Sequence, residues 1–239
     1  MSAADVFLWI ALPYLAIAVF VVGHIWRFRH GQLTWTARST QLLESRLLRL
    51  GGPLFHFGLL AVIGGHILGI LIPKDWLDAI GIDEHAYHIL AVIAGLSAGA
   101  VMTLGFVILV YRRLANRRVR ATTSRSDVVL YPLLALAIAS GMVATVWGSA
   151  IDEYGYRETV SPWFRGLFAF SPDAALMANA PFVFQLHAVT AWLLFLAWPF
   201  TRLVHAWSVP VGYLLRRSQV LYRSRTPRAA LARERARAR

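Results

Sequence analysis

The sequence of 239 residues contains no cysteine, and this absence excludes a whole group of sites. Disulfide bonds, zinc held by thiolates and iron–sulfur clusters ligated by cysteine all require that side chain. A metal bound by this chain must therefore use histidine or oxygen ligands. Charged residues are also scarce, at 15%, against 58% hydrophobic residues. This balance does not suit the surface of a soluble domain, and it predicts an all-α integral membrane protein.

Five apolar segments are long enough to cross a hydrocarbon layer of ~30 Å as helices, at about 1.5 Å per residue. Backbone groups in lipid must form hydrogen bonds within their own segment, so we expect helices and not strands. Pro13, Pro132 and Pro199 are expected to kink the helices that contain them. The predicted transmembrane helices are Val6 to Trp26, Pro53 to Ile72, Ala86 to Tyr111, Val128 to Trp147, and Ala180 to Val204.

The formal net charge of +12 comes from basic residues that cluster on one side of the predicted helices. The first and third connections and the segment from Arg202 onward hold 21 of the 24 Lys and Arg residues. The second and fourth connections hold the other three, together with eight of the twelve acidic residues. The positive-inside rule therefore places the N-terminus outside and the C-terminus in the cytoplasm. Because topology explains the charge, we expect no nucleic-acid partner.

The pattern predicts two parts, a five-helix membrane domain over residues 1–215 and a basic cytoplasmic tail over 216–239. The tail either lies on anionic lipid or a partner surface, or is solvated. The N-terminal segment lacks a basic region and a cleavage site, so we expect it to be retained as the first span. The fourth connection, 148–179, is rich in aromatic residues and is expected to contain a short amphipathic helix at the outer surface.

Four of the eight histidines lie at membrane depth, two on the second span and two on the fifth. Such residues are costly in lipid and each one suggests a function, although a single one is as easily a hydrogen-bonded core residue. The two spans run in opposite directions, so His66 is expected to face His187 outside, and His56 to face His205 inside. Two facing imidazole pairs are the arrangement that clamps two stacked haems in a dihaem bundle.

The axial spacing of these histidines does not match if both spans are regular helices. His187 and His205 are separated by a whole number of helical turns, which predicts one shared face and a separation of ~27 Å. His56 and His66 are closer in the sequence, which predicts ~15 Å along their helix and roughly 80° around it. We expect helix tilt, a bend near Pro199 or the haems to absorb the difference.

The remaining candidates are small residues and interfacial histidines. Glycines thin the second span where a flat macrocycle would approach, although ordinary helix packing also uses small residues. His24 and His30 are expected to be interfacial. His85 and His88 begin the third span on the outer side, where a neutral imidazole accepts a proton from a substrate or is simply interfacial. The glycines are Gly58, Gly64, Gly65 and Gly69.

Four stretches together make the chain resemble the gamma, or cytochrome b, subunit of the membrane-bound respiratory nitrate reductase, over nearly its whole length. They read RFRHGQLTWTARSTQLLE from Arg27, FHFGLLAVIGGHILG from Phe55, RRVRATTSRSD from Arg117, and FQLHAVTAWLLFLAWPFTRLVHAWSVPVGYL from Phe184.

The resemblance implies a quinol-oxidising membrane anchor in a bacterial or archaeal cell membrane. It assigns His66 and His187 to an outer b-type haem and His56 and His205 to an inner one. Gly65, His66 and Gly69 match the family's quinol pocket.

Menaquinol or ubiquinol would be oxidised near the outer haem, with two protons released outside. Electrons would pass through the inner haem to an iron–sulfur beta subunit and a molybdenum-containing alpha subunit that reduces nitrate. Well-known members have a lysine at the start of the third span, where this chain reads EHAYH, so the resemblance leaves open whether His85 or His88 replaces it.

Two alternatives stay open at this point. One is a related dihaem cytochrome b that serves a heterodisulfide or sulfite-linked reductase. The other is a transporter or scaffold without a cofactor, whose histidines relay ions or pack. Few acidic residues lie within the predicted spans, which argues against ordinary proton-coupled transport.

Overall fold

The computed structural model describes residues 2–151 and 154–208, which form helices joined by turns, with no β-strand among them. Five of the helices are long and apolar enough to cross a membrane, which confirms the predicted number of spans. The protein is a multi-pass helical membrane protein. The five helices are α1 (Ala3–His30), α2 (Arg46–Leu71), α3 (Glu84–Ala115), α4 (Arg125–Gly148) and α5 (Phe182–Phe200).

The helix starts are set by side chains that accept backbone N–H groups. At α3, Asp83 accepts from the N–H of Ala86 at 2.7 Å. At α4, Ser124 and Asp127 bond to one another's backbone N–H groups in a capping box. Glu44 accepts from the N–H of Leu47 at 2.9 Å, and α2 therefore begins well before the predicted start at Pro53.

Two groups of connections define the ends of the bundle. The ion pair between Arg112 and Glu44 joins the end of α3, where the third connection begins, to the first connection, at what we call the arginine-rich end. The ion pair between Lys74 and Glu158, at 3.2 Å, joins the second and fourth connections at what we call the acidic end. Alternating helix directions thus place connections of like composition together.

Close approach of α2 and α3 depends on glycines, and these two helices make the most extensive helix–helix contact. A Cβ atom at Gly58 would lie 2.5 Å from the backbone nitrogen of Met102. One at Gly51 would lie 2.8 Å from the Ile108 side chain. This is the small-residue packing typical of membrane helices, so Gly58 is explained by packing against α3.

The predicted fifth helix, Ala180 to Val204, does not continue to its predicted end. The α-helix covers Phe182–Ala197, a 3₁₀ turn follows at Trp198–Phe200, and Thr201 is extended with φ −113° and ψ −178°. His205 lies beyond this break, in the separate 3₁₀ segment Arg202–Ser208.

Two features explain the break: Pro199 has no N–H to donate to the helix ladder, and another side chain binds the carbonyls at the break itself. The Arg27 guanidinium donates to the carbonyls of Pro199 and Thr201, at 2.6 and 2.9 Å. The predicted separation of ~27 Å along one helix face therefore does not apply.

The fourth connection contains the predicted short helix, Val160–Phe168, followed by a second one at Ala174–Ala178. Trp163 is buried and its indole N–H donates to the carbonyl of Trp9 at 2.8 Å, which attaches this helix to the start of α1. Phe168 and Phe170 are exposed. The residues up to Ala206 form one compact unit. The predicted tail, 216–239, lies outside the described residues.

Candidate functional site

The structure brings together both histidine pairs that the sequence predicts. His66 of α2 faces His187 of α5 with 6.0 Å between the ring centroids, and the rings are inclined by 34°. His56 of α2 faces His205, also with 6.0 Å between the centroids, at an inclination of 74°. The break after α5 is what brings His205 to the level of His56, so the axial mismatch disappears.

Each of these four rings bonds to a backbone carbonyl through Nδ1. The distances are 2.8 Å from His56 to Gly52, 2.8 Å from His66 to Val62, 3.1 Å from His187 to Ala137, and 2.6 Å from His205 to Arg202. A carbonyl only accepts, so the proton must lie on Nδ1 and the lone pair on Nε2. This is how proteins orient a metal-ligating imidazole.

The Nδ1 bond alone does not mark a ligand. His24 and His30 bond in the same way to the carbonyls four residues earlier, at 2.6 and 2.9 Å. Each of these rings lies against a tryptophan, Trp35 for His24 and Trp26 for His30. The four candidate rings are distinguished from them because each faces another imidazole.

The spacing of each pair fits one metal ion between two imidazoles. Two metal–nitrogen bonds of about 2 Å, with about 1 Å from each nitrogen to its ring centre, give roughly 6 Å between the centroids. Within the described residues, His, Cys, Asp and Glu form no group of three or more that could hold a metal ion. The described chain thus places two imidazoles at each position, a number that suits a metal whose other ligands come from a macrocycle.

The partners of His187 on α4 were not identified from the sequence. Its Nδ1 also lies 3.2 Å from the Ser140 hydroxyl, which donates its own proton to Leu136 at 2.7 Å. A Cβ atom at Gly141 would lie 2.9 Å from the imidazole ring. The small residues of the run AIASG in α4 are the signal that points to a closely approaching side chain.

The stretch from Arg117 to Asp127, which carries part of the resemblance, ends in a residue that holds the segment of His205 in place. Asp127 is fully buried and accepts from Nε and Nη2 of Arg202 at 2.8 and 2.6 Å. His205 in turn bonds to the carbonyl of Arg202. The segment of His205 is therefore attached to the start of α4.

The arginines at the end of α3 also have partners within the chain. Arg112 is buried and donates to the Thr40 hydroxyl at 2.9 Å. Arg113 is buried as well and donates to the Thr123 hydroxyl at 3.0 Å. These contacts join α3 to the first and third connections.

The predicted glycines of α2 divide into two kinds near His66. A Cβ atom at Gly64 or Gly65 would meet no other atom within 4 Å. One at Gly69 would lie 2.7 Å from the Tyr87 hydroxyl and 2.9 Å from that of Tyr156. Gly69 lies in a π-helical turn, Ile67–Leu71, and such turns are frequent at functional sites.

A polar cluster that sequence reasoning missed lies beside Gly69. The hydroxyls of Tyr87 and Tyr156 are 2.9 Å apart, and burial together with Tyr87 raises the pKa of Tyr156 well above its usual range. Arg157 lies 4.0 Å above the Tyr87 ring and donates to Glu84 at 3.0 Å. The motif EHAYH thus contributes its buried tyrosine to the cluster.

The two histidines of the same motif are more accessible. His85 is exposed and His88 is half-buried, at the first turns of α3.

The fold and the site define a class, multi-pass helical membrane proteins with two facing imidazole pairs. The model of the nitrate reductase gamma subunit family matches residues 5–225. The chain belongs to this family, whose members are subunits of an oxidoreductase complex.

Individual relatives support this assignment. The nitrate reductase gamma chain of Bacillus subtilis is 48% identical over 219 residues, 92% of this chain and 98% of that protein. The respiratory nitrate reductase 1 gamma chain of Escherichia coli is 34% identical over 222 residues, with 92% and 98% covered. A nitrate reductase-like protein of Mycobacterium tuberculosis is 47% identical over 219 residues, which is 91% of this chain but only 33% of that protein.

Proposed function

We propose that this chain is the quinol-oxidising cytochrome b subunit and membrane anchor of a nitrate reductase complex. In this role it holds one b-type haem between His66 and His187 and another between His56 and His205. The observation that carries the proposal is the pair of facing imidazole couples, each with 6.0 Å between ring centroids and each ring bonded through Nδ1. Bound haem would supply one-electron redox chemistry, with the two histidines of each pair holding it.

The chain's own residues orient and separate the two centres. Carbonyls from α2, from α4 and from Arg202 in the His205 segment fix the tautomers, so the four Nε2 atoms are available as ligands. The Asp127–Arg202 pair holds the His205 segment on α4, and Ser140 and Gly141 seat the ring of His187. The chain thereby presents one pair near each end of the bundle, which is the placement that transfer across a membrane needs.

The direction of transfer follows from the charges. The positive-inside rule puts the arginine-rich end, with His56 and His205, in the cytoplasm, and the acidic end outside. An iron–sulfur beta subunit and a molybdenum-containing alpha subunit would then dock at the arginine-rich end, in a bacterial or archaeal cell membrane.

Quinol would bind at the acidic end beside Gly65, His66 and Gly69. A Cβ atom at Gly65 would have no other atom within 4 Å, whereas the turn at Gly69 lies against two tyrosine hydroxyls. His85 or His88 would accept a proton released by quinol, since both lie at that end of α3. Single substitution of each to Gln separates them: the variant that raises KM for quinol and shifts its pH profile identifies the acceptor. If neither variant changes either quantity, this role is wrong for both.

The function is tested by purifying the complex that contains this chain. We expect two b-type haems per chain in the reduced absorption spectrum, and nitrate reduction driven by a quinol analogue. A colourless chain, or a complex that reduces nitrate with an artificial dye but never with quinol although both haems are present, would contradict the proposal. Co-purification with a reductase of another substrate would contradict the nitrate assignment alone.

A further inference from the structure

Arg157 is a buried cation whose hydrogen-bonding capacity is only partly used. The residue is 6% exposed, and its Nη1 donates to Glu84. Its Nε and Nη2 are buried and have no hydrogen-bond partner among the described residues. Buried polar groups are nearly always paired, and an unpaired charged donor is especially costly. The two nitrogens therefore require an acceptor that the described part of the chain does not supply.

The two unpaired nitrogens form one edge of the guanidinium group. At the opposite end of the bundle, Arg202 uses the same edge, Nε and Nη2, to bind both carboxylate oxygens of Asp127. This fork matches a carboxylate in geometry and charge. Comparison of the two arginines indicates that the acceptor missing at Arg157 is also a carboxylate.

The position of Arg157 connects it to both histidines of the His66–His187 pair. The guanidinium covers the ring of Tyr87, whose hydroxyl lies against Gly69, shortly after His66 in α2. Tyr156 stacks near Phe184, shortly before His187 in α5, with 6.4 Å between the ring centroids. Through Tyr87 and its chain neighbour Tyr156, Arg157 is thus linked to residues about one helical turn from each histidine of the pair, at the acidic end.

We infer that the free edge of Arg157 binds a carboxylate side chain of the haem held by His66 and His187. This inference rests on the proposed function, since it requires a haem at that pair. A lipid headgroup does not fit a guanidinium that is 6% exposed. A neutral quinol oxygen does not use both donors of the fork.

Redox titration of the purified complex tests the inference without relying on activity. In Arg157→Gln, the haem carboxylate loses its positive partner. Its negative charge is then unbalanced and disfavours reduction of that haem. We expect the reduced-to-oxidised ratio of one haem to fall roughly tenfold at a fixed potential, about 59 mV for one electron. The haem at His56 and His205 serves as an internal reference and should keep its midpoint potential.

Two further variants separate pairing from general damage. Arg157→Lys keeps the charge but loses the fork, and we expect an intermediate shift. Arg165→Gln is the matched control, because Arg165 is a cation of the same connection that donates to the carbonyl of Ile70 at 3.0 Å. It should leave both midpoints unchanged. If Arg157→Gln fails to retain haem, the midpoint in Arg157→Lys decides.

The outcomes distinguish this inference from the proposed function. A wild-type complex with two haems, and unchanged midpoints in Arg157→Gln and Arg157→Lys, overturns the carboxylate contact alone. Unchanged midpoints with a raised KM for quinol would also overturn it and assign the fork to the substrate. An equal shift of the midpoint potential in Arg165→Gln would show that the effect comes from net charge, and would overturn the contact as well. A wild-type chain without haem contradicts the proposed function itself.

Discussion

The two ends of the bundle solve the burial of arginine in different ways. At the arginine-rich end, Arg27, Arg112 and Arg202 bond to carbonyls, hydroxyls or carboxylates of the same chain. At the acidic end, Arg157 has one acidic partner within residues 2–151 and 154–208, and two of its nitrogens are unpaired there. The arginines of the arginine-rich end therefore link parts of the chain to one another, whereas Arg157 at the acidic end has two donors left for a ligand.

Helix geometry differs between the ends in the same sense. The three π-helical segments of the described chain, Phe7–Ala11, Ile67–Leu71 and Ala144–Ile151, all lie toward the acidic end. The arginine-rich end instead has the 3₁₀ break after α5, whose freed carbonyls are occupied by Arg27. At the arginine-rich end, the carbonyls of the irregular segment thus bond to Arg27 of the same chain. At the acidic end, the π-helical turn Ile67–Leu71 lies at the candidate quinol site.

The largest expected effect comes from Asp127→Asn, which breaks the ion pair between Asp127 and Arg202. The substitution leaves Arg202, a half-buried cation, without its counter-ion. Losing one partner of a fully buried ion pair costs about 3–5 kcal/mol, and we expect a somewhat smaller loss here. We expect a lower Tm and selective loss of the haem at His56 and His205, measured by thermal unfolding and haem content. Asp173→Asn is the control, because Asp173 caps a short helix and Asn caps equally well. Selective loss of the haem at His66 and His187 would contradict the conclusion that the Asp127–Arg202 pair holds the segment of His205.

A smaller effect is expected from comparing two glycines of α2. Gly58→Ala places a methyl group against the Met102 backbone. It should destabilise the chain by about 1–3 kcal/mol, as overpacking does. Gly64→Ala meets nothing close by, so we expect a change between zero and a gain of about 1 kcal/mol from reduced backbone entropy. Thermal unfolding of both variants measures the difference, and equal destabilisation by the two would show that α2 is packed alike along its length.

The smallest expected effect is a dependence on acid at the arginine-rich end. Burial alone would raise the pKa of Glu44, but the N–H of Leu47 and the Arg112 guanidinium outweigh it and hold that pKa below its ordinary 4.5. A carboxyl with a lowered pKa stabilises the fold above its ordinary value, and this contribution is lost as the pH falls through the lowered value. Tm should therefore drop below pH 4.5 more steeply in the wild type than in Glu44→Gln.

The sequence predicted the features that depend on composition and period. Five spans, the short helix of the fourth connection and the facing of His66 with His187 follow from apolar length and chain direction. The break after α5 was not predictable from Pro199 alone, because a proline within a helix also permits a kink. What decides for the break is Arg27, which lies 172 residues away and binds the freed carbonyl.

Long-range contacts also explain what was missed at the candidate site. Arg157 was interpreted only as one of three basic residues at the acidic end, since nothing local indicates burial. Its environment comes from Tyr87 and Glu84, which lie on another helix far away in the sequence. The contacts of His187 with Ser140 and Gly141 likewise arise from the packing of α4 against α5, which the sequence does not show.

The central claim is that the four histidines form two ligand pairs, and the haem components lost in single variants test it most directly. Replacing His66 or His187 with Ala should abolish the same redox component, and replacing His56 or His205 should abolish the other. His30→Ala is the control, since His30 has the same Nδ1 bond and should keep both components. Loss of the same component in His66→Ala and in His56→Ala, or retention of both components in every variant, would contradict the claim.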